Sequence, residues 1–307
     1  MRVLVTGGAG FIGSYVTAEL ISQGHQVLRF DHLTHGPHDQ DVIVGDIRDA
    51  TTVTEAVAHA DAVIHLAAVL GTQETIDNPR PAAETNILGS LNIFEAITQY
   101  KVPVVYAAVG NHWMRDHGTG AYTISKTCVE DFARMYRKFR GTEVSIVRPV
   151  NAYGARQSIA APFGSSKVRK IIPAFACRAL SGMPIEIYGS GQQISDMVHV
   201  SDVAKVMVAA IGADLGPYEV GPTTSHTVSQ VAEIVAEEAV FITGQSASIE
   251  HLPMRRGEVE EATVSADPTT LEPLGISARD FVKLEDGLRD TVQWFWDMRG
   301  QLWDSPA

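Results

Sequence analysis

The chain has 307 residues, 45% of them hydrophobic, with a formal net charge of -12 at pH 7, enough for a large core in one elaborated domain or a large domain with a smaller one attached. That charge argues against a nucleic-acid surface and requires any phosphate-bearing ligand to be held by local Arg, Lys and backbone N–H groups against a repulsive field. No apolar run approaches the ~20 residues of a bilayer span, the N-terminus lacks the pattern of a signal peptide, and Cys128 and Cys177 have neither disulfide-framework nor metal-ligand spacing, so a cytoplasmic protein with no membrane association and no metal site is expected.

The first element is an apolar run, Val3-Leu4-Val5, that ends in glycines at Gly7, Gly10 and Gly13, with Phe11 and Ile12 between the last two, and leads into a helical pattern. Strand, tight turn and helix in that order make a dinucleotide cradle: one glycine permits the turn, one lets the backbone approach a pyrophosphate, and one lets helix and strand pack closely. A second strand follows and ends in Asp31, ~20 residues beyond the glycines, where a carboxylate accepts ribose hydroxyls and repels a 2′-phosphate. NAD is therefore favoured over NADP, although Arg29 would serve a 2′-phosphate if it pointed inward.

Strand patterns at residues 42–47 and 62–68, separated by a helical stretch through Val53 and Val57, continue the alternation and imply right-handed βαβ units with a parallel sheet buried on both faces. The fold class is α/β, a Rossmann-type doubly wound sheet. Asp46, with Ile47 beside it, is a candidate for the adenine amino group, and the small Ala67 and Ala68 at a strand end, next to Leu66 as a further cofactor-binding candidate, leave room for the cofactor's phosphates and nicotinamide ribose. His65 reads as a packed strand-end residue. A helix is predicted over 82–99, a strand over 101–109 and a further helix over 121–139. The last of these opens with Tyr122-Thr123-Ile124-Ser125-Lys126. Residues four apart share a helix face, so Tyr122 and Lys126 reach one ligand, and a neighbouring ammonium favours the phenolate, making the tyrosine a general acid or base.

With the glycine turn, Asp31 and the Tyr122/Lys126 pair, the chain resembles the extended short-chain dehydrogenase/reductase family, and within it the NAD-dependent nucleotide-sugar epimerases and dehydratases. The resemblance runs over nearly the whole length, through Gly45-Asp46-Ile47, His65-Leu66-Ala67-Ala68, Thr85-Asn86-Ile87-Leu88-Gly89, Arg148-Pro149-Val150-Asn151-Ala152-Tyr153-Gly154 and His199-Val200-Ser201-Asp202. It implies an NAD-binding domain over 1–155, rejoined by residues of about 190–215, and a substrate lobe over 156–307. It further implies that Pro149 lies against the nicotinamide, that Asn151 contacts a sugar-nucleotide diphosphate, and that the helices at 87–99 and 122–139 form a homodimer interface. Arg156, Lys167, Arg169, Lys170, Arg255 and Arg256 concentrate positive charge in an acidic chain, and arginine forks suit phosphate oxygens.

Two departures from the family pattern stand out. The strand before the catalytic helix usually ends in Ser-Ser or Ser-Thr, whereas this chain has Ala107-Ala108-Val109-Gly110-Asn111. Asn111, Thr123 or a water must then supply the missing hydrogen bonds, and Asn111 joins Tyr122 and Lys126 as a catalytic candidate. Ser195-Asp196 stands where relatives commonly have Arg-Asp, leaving Arg169 or the Arg255/Arg256 pair to hold the diphosphate. The expected activity is epimerisation, with C4 the favoured carbon; a dehydratase using His112 or Asp116, or an NAD-binding protein without catalysis, are the alternatives. Residues 284–302 read as a helix packed on the lobe, with Trp303 partly exposed beyond it.

Overall fold

The computed structural model describes residues 1–32, 42–117, 120–166 and 168–300; Lys167 and Trp303 lie outside them. In chain order the first half runs β1 (Arg2–Thr6), α1 (Phe11–Ser22), β2 (Gln26–Asp31), β3 (Val42–Val44), α2 (Ala50–Val57), β4 (Ala62–His65) and α3 (Arg80–Ala82). A π-helical stretch, Ala83–Gly89, then leads into α4 (Ser90–Tyr100), followed by β5 (Val104–Ala107), α5 (Ala121–Arg140), β6 (Val144–Pro149) and β7 (Asn151–Tyr153). The second half comprises α6 (Ile171–Leu180), β8 (Ile185–Tyr188), β9 (Ile194–Ser195), β10 (Met197–His199), α7 (Val200–Ala209), β11 (Tyr218–Val220), α8 (Val228–Thr243), β12 (Ile249–Leu252), β13 (Thr263–Val264) and α9 (Leu284–Met298).

Seven strands form one parallel sheet in the order β11-β6-β5-β4-β1-β2-β3. The order reverses between β1 and β4, and a doubly wound sheet opens its ligand crevice at the carboxyl ends of the strands there. Burial on both faces explains why the middle of β1 is a continuous apolar run: Val3 and Val5 face a core shared with α1 and α7, while Leu4 faces the core of α2, α4 and α5, so none of the three meets a solvated face. Segment 197–220 lies with this first unit, since α7 packs on α1 and β11 pairs with β6.

The remaining residues build a third core around α6, α8, α9 and β8, into which α9 sends Leu284, Leu288, Val292 and Phe295. Trp294 and Trp296 pack at its margin. A reciprocal cap starts α8, where Thr227 Oγ1 accepts from Gln230 N–H and Gln230 Oε1 accepts from Thr227 N–H. The helix predicted over 82–99 begins two residues earlier and is widened at Ala83–Gly89. There Asn86 turns inward, donating to Val69 O (3.0 Å) and Ser125 Oγ (2.9 Å) and accepting from Val69 N (2.7 Å). The strand predicted over 101–109 is shorter, because Lys101, at φ 57, takes the left-handed turn that ends α4.

Candidate active site

A cleft of about 680 Å³ opens at the carboxyl ends of the strands. Its floor is the turn between β1 and α1. Gly7 adopts φ +71, and a Cβ there would lie 2.9 Å from Ala67 N; a Cβ on Gly13 would lie 2.1 Å from the Gly7 carbonyl oxygen. Both positions are thus confined to glycine by backbone contact, the first also by its left-handed conformation. No side chain caps the N-terminus of α1, so its first N–H groups face the cleft, the arrangement that binds phosphate. Gly7, Gly10, Phe11, Ile12 and Gly13 all line it.

Asp31 ends β2 at the rim, 7% exposed, and its Oδ2 accepts from Ala9 N at 3.0 Å, so the acid also braces the glycine turn. Asp46 lines the cleft with Arg48, which forks onto it with Nε–oxygen distances of 3.0 and 2.9 Å. The Arg48 hydrogen bonds pull the Asp46 carboxyl below its ordinary pKa. Ile47, Leu66, Ala67 and Ala68 complete this end.

Beneath it lies a buried polar chain. Ser90 donates to Asn86 O (2.5 Å), so its oxygen accepts from His65 Nε2 (2.8 Å); His65 Nδ1 then accepts from Thr6 Oγ1 (2.6 Å), which accepts in turn from Leu66 N (3.2 Å) and Ala67 N (3.3 Å). Every member is satisfied only if His65 is neutral with its proton on Nε2. Burial, with Lys126 adding repulsion, takes its pKa down to about 3.

Tyr122 and Lys126 enter from α5 and line the same cleft. Lys126 is 3% exposed, with Nζ 4.3 Å above the centre of the Tyr106 ring. Burial dominates both ionisations: the Tyr122 phenol is pushed up to about 12 and the Lys126 ammonium down to about 7. This differs from the expectation that Lys126 lowers the tyrosine, since desolvation of the phenolate here outweighs an ammonium that is itself desolvated. Pro149, Val150 and Asn151 form the opposite wall, with Ala107, Ala108, Val109 and Asn111 between. Thr123 is fully buried and outside the lining, its Oγ1 without a hydrogen-bond partner among the described residues.

Residues 3–221 match the model of the NAD dependent epimerase/dehydratase family. The chain belongs to that family. It is 30% identical to a UDP-N-acetyl-alpha-D-glucosaminuronate decarboxylase from Bacillus cytotoxicus, over 96% of this chain and 97% of that protein. It is equally 30% identical to a putative UDP-glucose 4-epimerase from Methanocaldococcus jannaschii, over 95% and 97%. Among solved structures, UDP-glucose 4-epimerase from Thermus thermophilus in complex with NAD superposes with a TM-score of 0.82 at 30% identity, covering 96% of this chain and 99% of that one. At this distance the family is established, while its members differ in reaction.

Within this epimerase/dehydratase framework the predicted cations separate. Arg156, Arg169, Arg255 and Arg256 lie outside the cleft lining, whereas Lys170 is part of it. The acidic chain supplies carboxylates to three of these arginines: Glu186 to Arg169 (3.3 Å), Asp77 to Arg256 (2.9 Å) and Glu258 to Arg255. Arg169 and Arg255 also lie over the Tyr188 ring, 5.5 and 4.8 Å from its centre. Lys170 immediately precedes α6, whose N-terminus has no side-chain cap, and burial lowers its pKa. Asn151 Nδ2 donates to Ser195 Oγ (2.9 Å) and Asp196 O (3.0 Å). Arg48 and the Thr6–His65–Ser90 chain were not apparent from sequence motifs, because each depends on a partner that only the fold supplies.

Proposed function

We propose that the protein is an NAD-dependent nucleotide-sugar epimerase that inverts a ring carbon, most simply C4 of a nucleotide hexose, through a transient 4-keto sugar. One observation carries the reading: a single cleft joins the glycine turn to Tyr122 and Lys126, and the only carboxylates lining it among the described residues, Asp31 and Asp46, sit at the glycine end. Elimination of water calls for an acid or base beside the sugar in addition to the tyrosine; inversion by oxidation and reduction at one carbon does not.

The residues fit the cofactor. Gly7 and Gly13 leave backbone-deep space where any Cβ would collide, the uncapped start of α1 faces a pyrophosphate, and Asp31 meets the adenosine ribose. NAD bound there supplies a hydride acceptor that gives back what it takes, so inversion leaves no net redox change. Tyr122 would take the proton from the sugar hydroxyl as the phenolate, becoming the phenol, and give it back as hydride returns. Lys126, brought to about 7 by burial, changes charge in the neutral range and sets how readily the phenol gives up its proton. Asn111 orients the hydroxyl in place of the strand-end serine, and Lys170 and the α6 N-terminus face the diphosphate, with Arg255 near Lys170; Asn151, whose Nδ2 already donates to Ser195 and Asp196, must exchange one of those partners to donate to it.

On this reading residues 1–155 with 197–220 hold the cofactor, the rest hold the nucleotide sugar, and Leu88 and Ile124, both exposed, belong to a homodimer face. No helix among the described residues is long and apolar enough to cross a membrane. Incubation with a panel of nucleotide hexoses and uronates, followed by NMR, is expected to show an inverted sugar. A dehydrated keto sugar, or carbon dioxide released from a uronate, would overturn the reading. Tyr122→Phe is expected to cut turnover by about 10²–10⁴-fold, with NAD affinity and melting temperature nearly unchanged.

A further inference from the structure

The first N–H groups of an α-helix have no partner within it, and the N-cap of α5, Gly120, contributes no side chain. The N–H of Tyr122 is nevertheless bonded: it donates to Thr75 Oγ1 at 3.1 Å, across 47 residues of chain. Thr75 is 3% exposed, and its hydroxyl proton goes to Gly71 O at 2.7 Å, which turns the oxygen lone pairs toward α5. Loop and helix meet in backbone contact, because a Cβ on Gly120 would lie 1.9 Å from the Thr72 carbonyl oxygen. The carbonyl of Tyr122 is held as well, accepting from Ser125 Oγ (2.8 Å), to which Asn86 donates (2.9 Å).

The loop that carries Thr75 also supplies Leu70 and Thr72 to the cleft wall. Its outer side is fastened to the lobe, where Glu74 accepts from Arg169 N at 3.2 Å and Asp77 pairs with Arg256 at 2.9 Å. Thr75 therefore caps the catalytic helix from a segment fixed on both sides.

We propose that Thr75 is a positioning residue for Tyr122, acting as a helix cap supplied by a distant segment of the same chain that sets where the phenol stands in the cleft. This rests on Tyr122 being the acid/base. Replacement by valine preserves shape but removes the oxygen; replacement by serine keeps it. Displacement of a general base by a fraction of an ångström lowers the chemical step more than ground-state binding, so Thr75→Val is expected to lower kcat about tenfold with KM within about twofold, and Thr75→Ser to restore both. In the Tyr122→Phe background Thr75→Val is expected to have no further effect on residual turnover.

A readout independent of turnover comes from ¹⁹F NMR of NAD-loaded protein labelled with 3-fluorotyrosine, the Tyr122 resonance being identified among the eight tyrosines by its loss in Tyr122→Phe. T75V is expected to displace that resonance and leave the other seven; T75S is expected to match the parent. T75A carries the same loss should T75V not be recovered folded. An unmoved Tyr122 resonance in both T75V and T75A, or a T75S spectrum as altered as theirs, overturns the proposal. Absence of turnover on every nucleotide sugar would count against the epimerase reading alone, with the ¹⁹F comparison still deciding the role of Thr75.

Discussion

His65 makes the buried chain beneath the cleft measurable. Its ring is fully buried, 5.9 Å from the Tyr106 ring, bonded at both nitrogens and facing the charge of Lys126. An unfolded histidine takes up a proton as pH drops below 6.5, whereas the folded one stays neutral to about 3. The stability this provides is fully present above pH 6.5 and is lost as pH falls through that window, because the unfolded state then binds the additional proton. The full separation corresponds to a ceiling of about 5 kcal/mol, and its share between pH 7 and pH 5 to about 2 kcal/mol. Urea unfolding of cofactor-free protein and of His65→Gln at both pH values isolates this share: the variant keeps an amide donor for Ser90 but does not titrate. Other carboxylates and histidines cancel in the difference. The parent is expected to lose about 2 kcal/mol more than the variant; equal losses would refute a neutral, doubly bonded His65.

Gly13→Ala places a Cβ 2.1 Å from the Gly7 carbonyl oxygen, so α1 must move off the turn; calorimetric titration is expected to show NAD affinity reduced by tenfold or more, with a lowered melting temperature. Arg148, its side chain 12% exposed, donates through Nε to Glu130 (2.9 Å) and through Nη1 to Glu219 (3.1 Å). Removing one partner of a buried pair costs about 3–5 kcal/mol. Arg148→Met is therefore expected near the lower end, since Arg134 still holds Glu130 at 2.7 Å, and Glu130→Gln in the same chain is expected to recover part of the loss in urea unfolding.

The parts of the site legible in the sequence are those whose chemistry is local. Gly13 is required by its contact with the Gly7 carbonyl six residues away and Gly7 by its own left-handed turn, and the spacing of Tyr122 and Lys126 follows from helix geometry alone. What escaped depends on competition between distant groups. The sequence shows which cations exist, not which carboxylates already hold them, and in a chain of charge -12 Glu186, Glu258 and Asp77 hold arginines while Lys170 faces the cleft. The Tyr122/Lys126 pair is similar: proximity of an ammonium predicts a lowered phenol, yet burial, which no spacing reveals, raises it to about 12.

These features bear on one another at the strand end where a hydroxyl was expected. Ala108 and Val109 are buried and apolar, so on the proposed mechanism no strand-end hydroxyl relays the proton between Tyr122 and the sugar, and transfer is direct. A relay tolerates small errors in the position of its terminal members because each hydroxyl rotates to suit; direct transfer requires the phenol within hydrogen-bond reach of the substrate, ~2.6–3.2 Å. A chain lacking the relay therefore depends more on the placement of Tyr122. Its backbone is bonded at the N–H by Thr75 and at the carbonyl by Ser125, and both partners are themselves held by groups outside α5, Gly71 and Asn86. The loss of one hydroxyl on β5 and the clamp on α5 are on this argument two aspects of one proton path.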